Sequence, residues 1–572
     1  MGAFDVVVLG GGTAGVRVAT EVADGGRTVA LVEAGLIGGE SPYLACLPTN
    51  SLLLAAARGQ SWEDAVARRD GTTGGLDDSA ATQRLSRAGV TVIRGTGRVT
   101  GPGTVEVTPP AGNWPGNGAG NGTGHGHRGL AVSLTYSDLV IATGCEPVAP
   151  PIEGLSDIPA WTTAQSLCSP DLPRRLIVLG GGPAGCELTQ IYASFGSQVT
   201  LVEAEAGLLP GEPAFAGEIL AAALRRAGAE IYLGSPATKA ERTPDGLTLA
   251  LNDGTGIDAD RLLLASGRRP RLGGLGLDTL GLTVTPGMAL PTTTRCEVPV
   301  MGTAVQSRVW AAGDVTGTTS THASHYQAAV VAANILGQRR EADYSAIPRC
   351  VFTTPSVYAV GAVPGAPRED APAGDNGTGE RRARQMLRVA RSPGDGAAWD
   401  ARAAVKAGQG LVTVRASLGD TARAQLGHDD LGCLELYADP GPGVLVGAVA
   451  VGPDAASWMG EITLAIRAKI PVAVLADVVH AFPTYGEALQ AALRELARTG
   501  DGTVKADQRE RGIGPLSELD METPEGDAIE QHQEVIADET VTGARHELPF
   551  DVDEADAAEQ ERAIGFDDDD YR

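Results

Sequence analysis

The chain has 572 residues, 43% of them hydrophobic, and a formal net charge of −26. That length exceeds what one core supports and predicts about three or four domains; no apolar run approaches the ~20 residues of a membrane span, and no basic stripe invites nucleic acid. Seven scattered cysteines with no CxxC pair exclude a disulfide scaffold and a zinc cage, so no metal site is expected.

The first element is the apolar strand Phe4–Leu9, which begins almost at Met1 with no leader before it. This start predicts a cytoplasmic protein. Gly10-Gly11-Gly12-Thr13-Ala14-Gly15 follows, then a helix, then the strand Thr28–Glu33, ended by an acid. The same order returns at Leu176–Leu179, Gly180-Gly181-Gly182-Pro183-Ala184-Gly185 and Val199–Glu203. In both copies 23 residues separate the first glycine from the acid.

A strand, a glycine turn, a helix and a second strand closed by an acid, found twice, predict two dinucleotide sites. Gly10 and Gly180 make the strand-to-helix turn. Gly12 and Gly182 let backbone N–H groups approach a pyrophosphate, and Gly15 and Gly185 let the helix pack on the strand. Glu33 and Glu203 are expected to accept from ribose hydroxyls. An acid at 203 repels a 2′-phosphate, so NADH is favoured over NADPH.

Ala111–Gly129 is a Gly/Asn-rich loop; His125 and His127 in it lack carboxylate or cysteine neighbours and read as exposed loop residues. Gly361–Gly379 is a second insertion, rich in Pro, Gly and Ala. From Asp501 onward there are 23 acidic and 6 basic residues, a net −17, in a tail read as mostly disordered. It is either a plain solvated tail or a segment that docks an unknown protein.

From Phe4 to about Arg498 the chain resembles the pyridine nucleotide-disulfide oxidoreductase family, with a pattern similar to lipoamide dehydrogenase and mercuric reductase. The motifs that carry the resemblance follow family order: the two fingerprints, Asp138–Gly144, Ala265–Pro270, Val309–Val315, Ile347–Pro355 and His480–Glu487. The resemblance implies an α/β fold of two Rossmann-like domains, an α+β dimerisation domain and the acidic tail. Residues 1–150 and 275–343 would form the FAD domain, 151–274 the NAD domain and 344–498 the interface domain of a homodimer, with 499–572 as the tail. It implies FAD and NADH as cofactors. FAD would meet Gly10, Gly12, Gly15, Glu33, Thr143, Gly144, Gly313 and Asp314, the last on the ribityl chain. NADH would meet Gly180, Gly182, Gly185, Glu203 and Gly267.

Three departures bear on chemistry. The family's redox motif is Gly-Gly-x-Cys, four residues, Cys, then x-Pro-Ser-Lys; here it reads Gly38-Gly39-Glu40-Ser41 and continues to Cys46-Leu47-Pro48-Thr49-Asn50. Ser41 stands for the first cysteine, which attacks the substrate, so only Cys46 remains and no dithiol forms. Asn50 stands for the lysine that pairs with Glu187 near flavin N5. Phe482 stands for the general-acid histidine, while its orienting carboxylate persists as Glu487. His480, two residues earlier, points to the same side of an extended segment; it is either a substitute acid/base or a packing residue.

A disulfide reductase needs a nucleophilic thiolate, a resolving thiol and an acid for the leaving group. The sequence therefore predicts an FAD-dependent oxidoreductase that passes electrons from NADH to a small organic acceptor without a redox-active disulfide. Its candidate catalytic residues are Cys46, Glu187, His480 and Glu487. The alternatives are single-cysteine peroxide or mixed-disulfide chemistry at Cys46, an FAD oxidase with a vestigial NAD site, and a flavin-bearing scaffold acting through its tail.

Overall fold

The computed structural model describes residues 2–110, 131–300, 307–318, 320–364, 410–427 and 432–499. The loop with His125 and His127, most of the 361–379 insertion and the acidic tail lie outside the described residues.

The strand Val6–Leu9 is buried along its whole length. Val6 and Val8 enter one apolar cluster and Val7 and Leu9 another, as a strand covered on both faces requires. It sits in the middle of a five-stranded parallel sheet, ordered Arg308–Ala311, Asp138–Ile141, Val6–Leu9, Val29–Glu33, Val90–Arg94. The helices Thr13–Asp24 and Thr321–Ile335 cover one face through Val18, Val22, Val331 and Ile335. Val99, Val105 and Leu134, from the antiparallel strands of a small mixed sheet, cover the other.

A second five-stranded parallel sheet runs Trp161–Thr162, Arg261–Leu264, Arg175–Leu179, Gln198–Val202, Glu230–Tyr232. Its central strand divides its side chains in the same way: Leu176 and Val178 face one cluster, Ile177 and Leu179 the other. The chain crosses into this region at Cys145–Pro147 and returns at Arg268–Pro270. The two crossings pair as an antiparallel ribbon, Cys145 opposite Pro270.

The third region is an antiparallel sheet, Pro348–Val351, Ser356–Gly361, Val444–Gly452, Cys433–Asp439, Val412–Ser417. Tyr358, Leu434, Leu436 and Ala450 pack under the helices Gly460–Ala468 and Gly486–Thr499. Val357, Tyr437 and Val449 share a core with the second region. The architecture is mixed α/β, with two doubly covered parallel sheets and an α+β third part. Among the described residues no helix is long and apolar enough to cross a membrane.

Candidate active site

The glycines of each fingerprint divide into two kinds. Gly10 has φ +103°, and a Cβ there would lie 2.2 Å from the Ala142 carbonyl oxygen; one at Gly15 would lie 1.8 Å from the Gly10 carbonyl oxygen. Gly180 and Gly185 repeat this, at 2.4 Å from Ala265 O and 1.9 Å from Gly180 O. These four are dictated by the chain itself. The middle glycines are not: a Cβ at Gly12 meets nothing nearer than 3.9 Å, and one at Gly182 nothing within 4 Å. Both are helix N-caps with no side-chain hydrogen bond. An open surface over uncapped helix N–H groups fits a pyrophosphate, so both cradles fit dinucleotides.

The acids are held from behind. Glu33 Oε2 accepts from Gly11 N at 2.5 Å, and Glu203 Oε2 accepts from Gly181 N at 2.5 Å. Their other oxygens accept from Gly35 N and Glu205 N. Each oxygen keeps a second lone pair for a sugar hydroxyl. The backbone bonds fix the carboxylates, a task the sequence reading did not foresee.

Other expected cofactor residues gather at the carboxyl edges of the two sheets. Thr143 Oγ1 donates to Arg271 O at 2.7 Å, and Gly144 O accepts from Arg271 N at 2.9 Å. Gly267 lies in the left-handed region at φ +112°, with open space around it. A Cβ at Gly313 would lie 3.3 Å from Ala14 Cβ of the first cradle, and the Gly313 N–H donates to the buried Gln327 side chain at 2.8 Å. Asp314 Oδ2 accepts from the Cys145 thiol at 2.7 Å.

The segment carrying Ser41 and Cys46 is pinned to the first cradle. Gly38 forms a bridge with Gly12, and a Cβ at Gly39 would come within 2.7 Å of Gly12 Cα. Cys46 opens the helix Cys46–Ala57 and is exposed. Its sulfur lies 3.3 Å from Thr321 Oγ1, and that hydroxyl donates to Ser41 Oγ at 3.1 Å. One threonine hydroxyl thus bridges the two positions where the family motif has cysteines. Asn50 donates to its own helix, at Cys46 O, 2.9 Å. Glu187 accepts from Phe352 N at 2.8 Å, and burial pushes its carboxyl up to about 7.

In the C-terminal segment Val479 is 90% and Phe482 76% exposed. His480 turns the other way. Its side chain is 8% exposed, and Nε2 lies 3.1 Å from Glu461 Oε2. Glu487 accepts from Thr484 N at 3.1 Å and Ala422 N at 3.2 Å. The structure therefore does not join His480 to Glu487. Nor, among the described residues, does a hydrogen bond link either to Cys46 or Glu187.

Sequence reasoning missed Thr321, Gln327, Glu461, Arg268 and Cys145. Only the last two carried a signal, since each directly follows a glycine of a recognised motif.

Comparison with known proteins agrees with this geometry. Residues 4–333 match the model for "Pyridine nucleotide-disulphide oxidoreductase", and residues 400–493 match the dimerisation domain of that family, which supports a homodimer. Dihydrolipoyl dehydrogenase 3 of Pseudomonas putida is 28% identical over 88% of this chain and 99% of its own. Mercuric reductase of Shigella flexneri is 28% identical over 86% and 80%. Among solved structures, the HOCl-induced flavoprotein disulfide reductase RclA from Escherichia coli superposes with a TM-score of 0.68 at 24% identity, over 86% of this chain and 99% of that one, a likeness of fold alone. The chain belongs to the pyridine nucleotide-disulphide oxidoreductase family, whose members are FAD-dependent NAD(P)H oxidoreductases.

Proposed function

We propose that this flavoenzyme passes electrons from NADH to a small organic acceptor without a redox-active disulfide. The observation that carries the reading is Ser41: a hydroxyl bridged through Thr321 to Cys46 stands where a dithiol would be. A serine hydroxyl neither ionises near neutral pH nor cycles between redox states. FAD bound over the first cradle supplies two-electron chemistry that needs no thiol.

The chain's own residues then have these tasks. The N–H groups behind Gly12 hold one pyrophosphate and those behind Gly182 the other, with Glu33 and Glu203 on the sugars and Asp314 on the ribityl chain. Thr143, Gly144, Gly267 and Gly313 shape the walls. Glu187, titrating near neutrality, holds or releases a proton at its carboxyl oxygens. In the homodimer the exposed side chains of Val479 and Phe482 face the partner's acceptor side and present an apolar ring, which suits a flat organic molecule. The proposed boundaries are 1–150 with 275–343 for FAD, 151–274 for NAD and 344–498 for the interface. Seven unbridged cysteines support a cytoplasmic setting.

The exposed thiol of Cys46 favours one second reading, single-cysteine chemistry. Anaerobic stopped-flow mixing with NADH, then with oxygen, quinones and small disulfides in turn, tests both. Flavin bleaching by NADH ahead of NADPH, reoxidation by a quinone and inertness to disulfides are expected. Loss of quinone turnover in Cys46→Ser, with bleaching intact, would transfer the conclusion to the cysteine.

A further inference from the structure

Four residues far apart in sequence form a continuous chain of contacts beside the first cradle. Cys145 is 3% exposed and donates its S–H to Asp314 Oδ2 at 2.7 Å. Arg268 Nε donates to the Cys145 sulfur at 2.6 Å, and Arg268 Nη2 donates to the Cys145 carbonyl at 3.0 Å. The same guanidinium pairs with Glu40, which Arg271 also approaches at 3.6 Å. Glu40 directly precedes Ser41, and Asp314 opens the short 3-10 turn Asp314–Thr316 that follows the strand Arg308–Ala311. Nothing in the proposed electron path uses Cys145, Arg268 or Glu40.

We propose that Cys145 is a positioning residue, whose thiol holds one oxygen of Asp314 and thereby aims the other at the flavin cofactor, with the Arg268–Glu40 pair holding the thiol in turn. The inference rests on the reading of Asp314 as the ribityl contact.

The chemistry of each group supports the polarity of the relay. Arg268 can only donate, so the sulfur must accept from it and spend its own hydrogen on Asp314. Burial pushes the Cys145 thiol up to about 12, so it stays a protonated donor at physiological pH. A buried, protonated thiol is also a poor nucleophile, which removes redox chemistry as its role. Burial raises the Asp314 carboxyl, and both the thiol hydrogen bond and the Arg268 charge act against that rise. Without them the carboxylate would be half-buried with a lone pair unmet on the side away from the ligand.

Two substitutions separate the hydrogen bond from packing. Cys145→Val fills the volume and removes the donor, whereas Cys145→Ser is smaller and keeps it. The readout is the dissociation constant of FAD for the full-length apoprotein, followed by flavin fluorescence. A thiol is a weak donor, and its loss bears on the ligand only through the aim of Asp314, which predicts FAD binding roughly 10-fold weaker in Cys145→Val, and within about threefold of the natural protein in Cys145→Ser. Should the valine variant fail to fold, Cys145→Ala, which adds no atoms, replaces it with the same expectation. Equal FAD affinity in the valine or alanine variant and the natural protein overturns the proposal, as does a serine variant no better than valine. A natural protein that binds no FAD would instead sink the reading of Asp314 itself.

Discussion

The nucleotide cradles and the thiol segment lie against each other, yet they are built on opposite principles. In the cradles the backbone dictates the residue: at Gly10 and Gly15 no side chain fits between the turn and the chain beside it. In the thiol segment the backbone path is held by Gly38 and Gly39, while the reactive side chains upon it are exchanged. Ser41 and Asn50 occupy their places without disturbing the helix that starts at Cys46. Chemistry can thus be removed from a scaffold whose binding geometry is over-determined, because the two properties reside in different atoms.

The largest effect that would break this contrast concerns the cradle. Gly15→Ala places a methyl 1.8 Å from a carbonyl oxygen and should cost more than about 3 kcal/mol, seen as loss of cooperative thermal unfolding. Gly12→Ala, with open space before it, should leave apoprotein stability within about 1 kcal/mol and abolish FAD retention. Similar behaviour in the two variants would erase the division into structural and ligand-facing glycines.

The next prediction restores a missing thiol. In air-equilibrated buffer Ser41→Cys should form a disulfide with Cys46, the two electrons and two protons passing to dissolved oxygen, measured as loss of a pair of titratable thiols. Disulfide turnover should still fall about 10²- to 10⁴-fold short of a complete relay, because Phe482 is no general acid. Full activity in that variant would show that the C-terminal segment contributes no proton.

A smaller effect sharpens the comparison through stability. Burial raises Glu187 from 4.5 to about 7, so folding favours its protonated form. The penalty for the ionised form is absent below about pH 4.5, grows through pH 7 and levels off above it at about 3 kcal/mol. Glu187→Gln keeps an acceptor for Phe352 N and should raise apoprotein stability by about 2–3 kcal/mol at pH 8 and by less than half of that near pH 5.5. A gain that does not change with pH would mean that Glu187 keeps its ionised form by other contacts.

What was legible in the sequence follows the same divide. Gly10, Gly15 and Glu33 could be read because their reasons are local: one turn, one helix, one strand end. The loss of the dithiol was legible at Ser41 for the same cause. The link from Cys145 to Asp314 spans 169 positions and that from Ser41 to Thr321 spans 280, and no periodicity reports them. Strand alternation predicts that His480 and Phe482 face the same side. Val478–Pro483 has neither strand nor helix geometry, so the two-residue period does not hold there, and the imidazole turns to Glu461 instead of following Phe482.

The ribbon that pairs Cys145 with Pro270 has a consequence for portability. The chain leaves the first nucleotide region and re-enters it on adjacent strands, so the intervening hundred-odd residues enter and exit through one doorway. The doorway alone would accept a short turn from Pro147 to Arg268, yet the module is tied in a second place: Val357, Tyr437 and Val449 of the third region share its core, and its removal would lay them bare. Separating flavin capture from hydride supply within this one polypeptide therefore takes a substitution at the second cradle, not removal of the module around it.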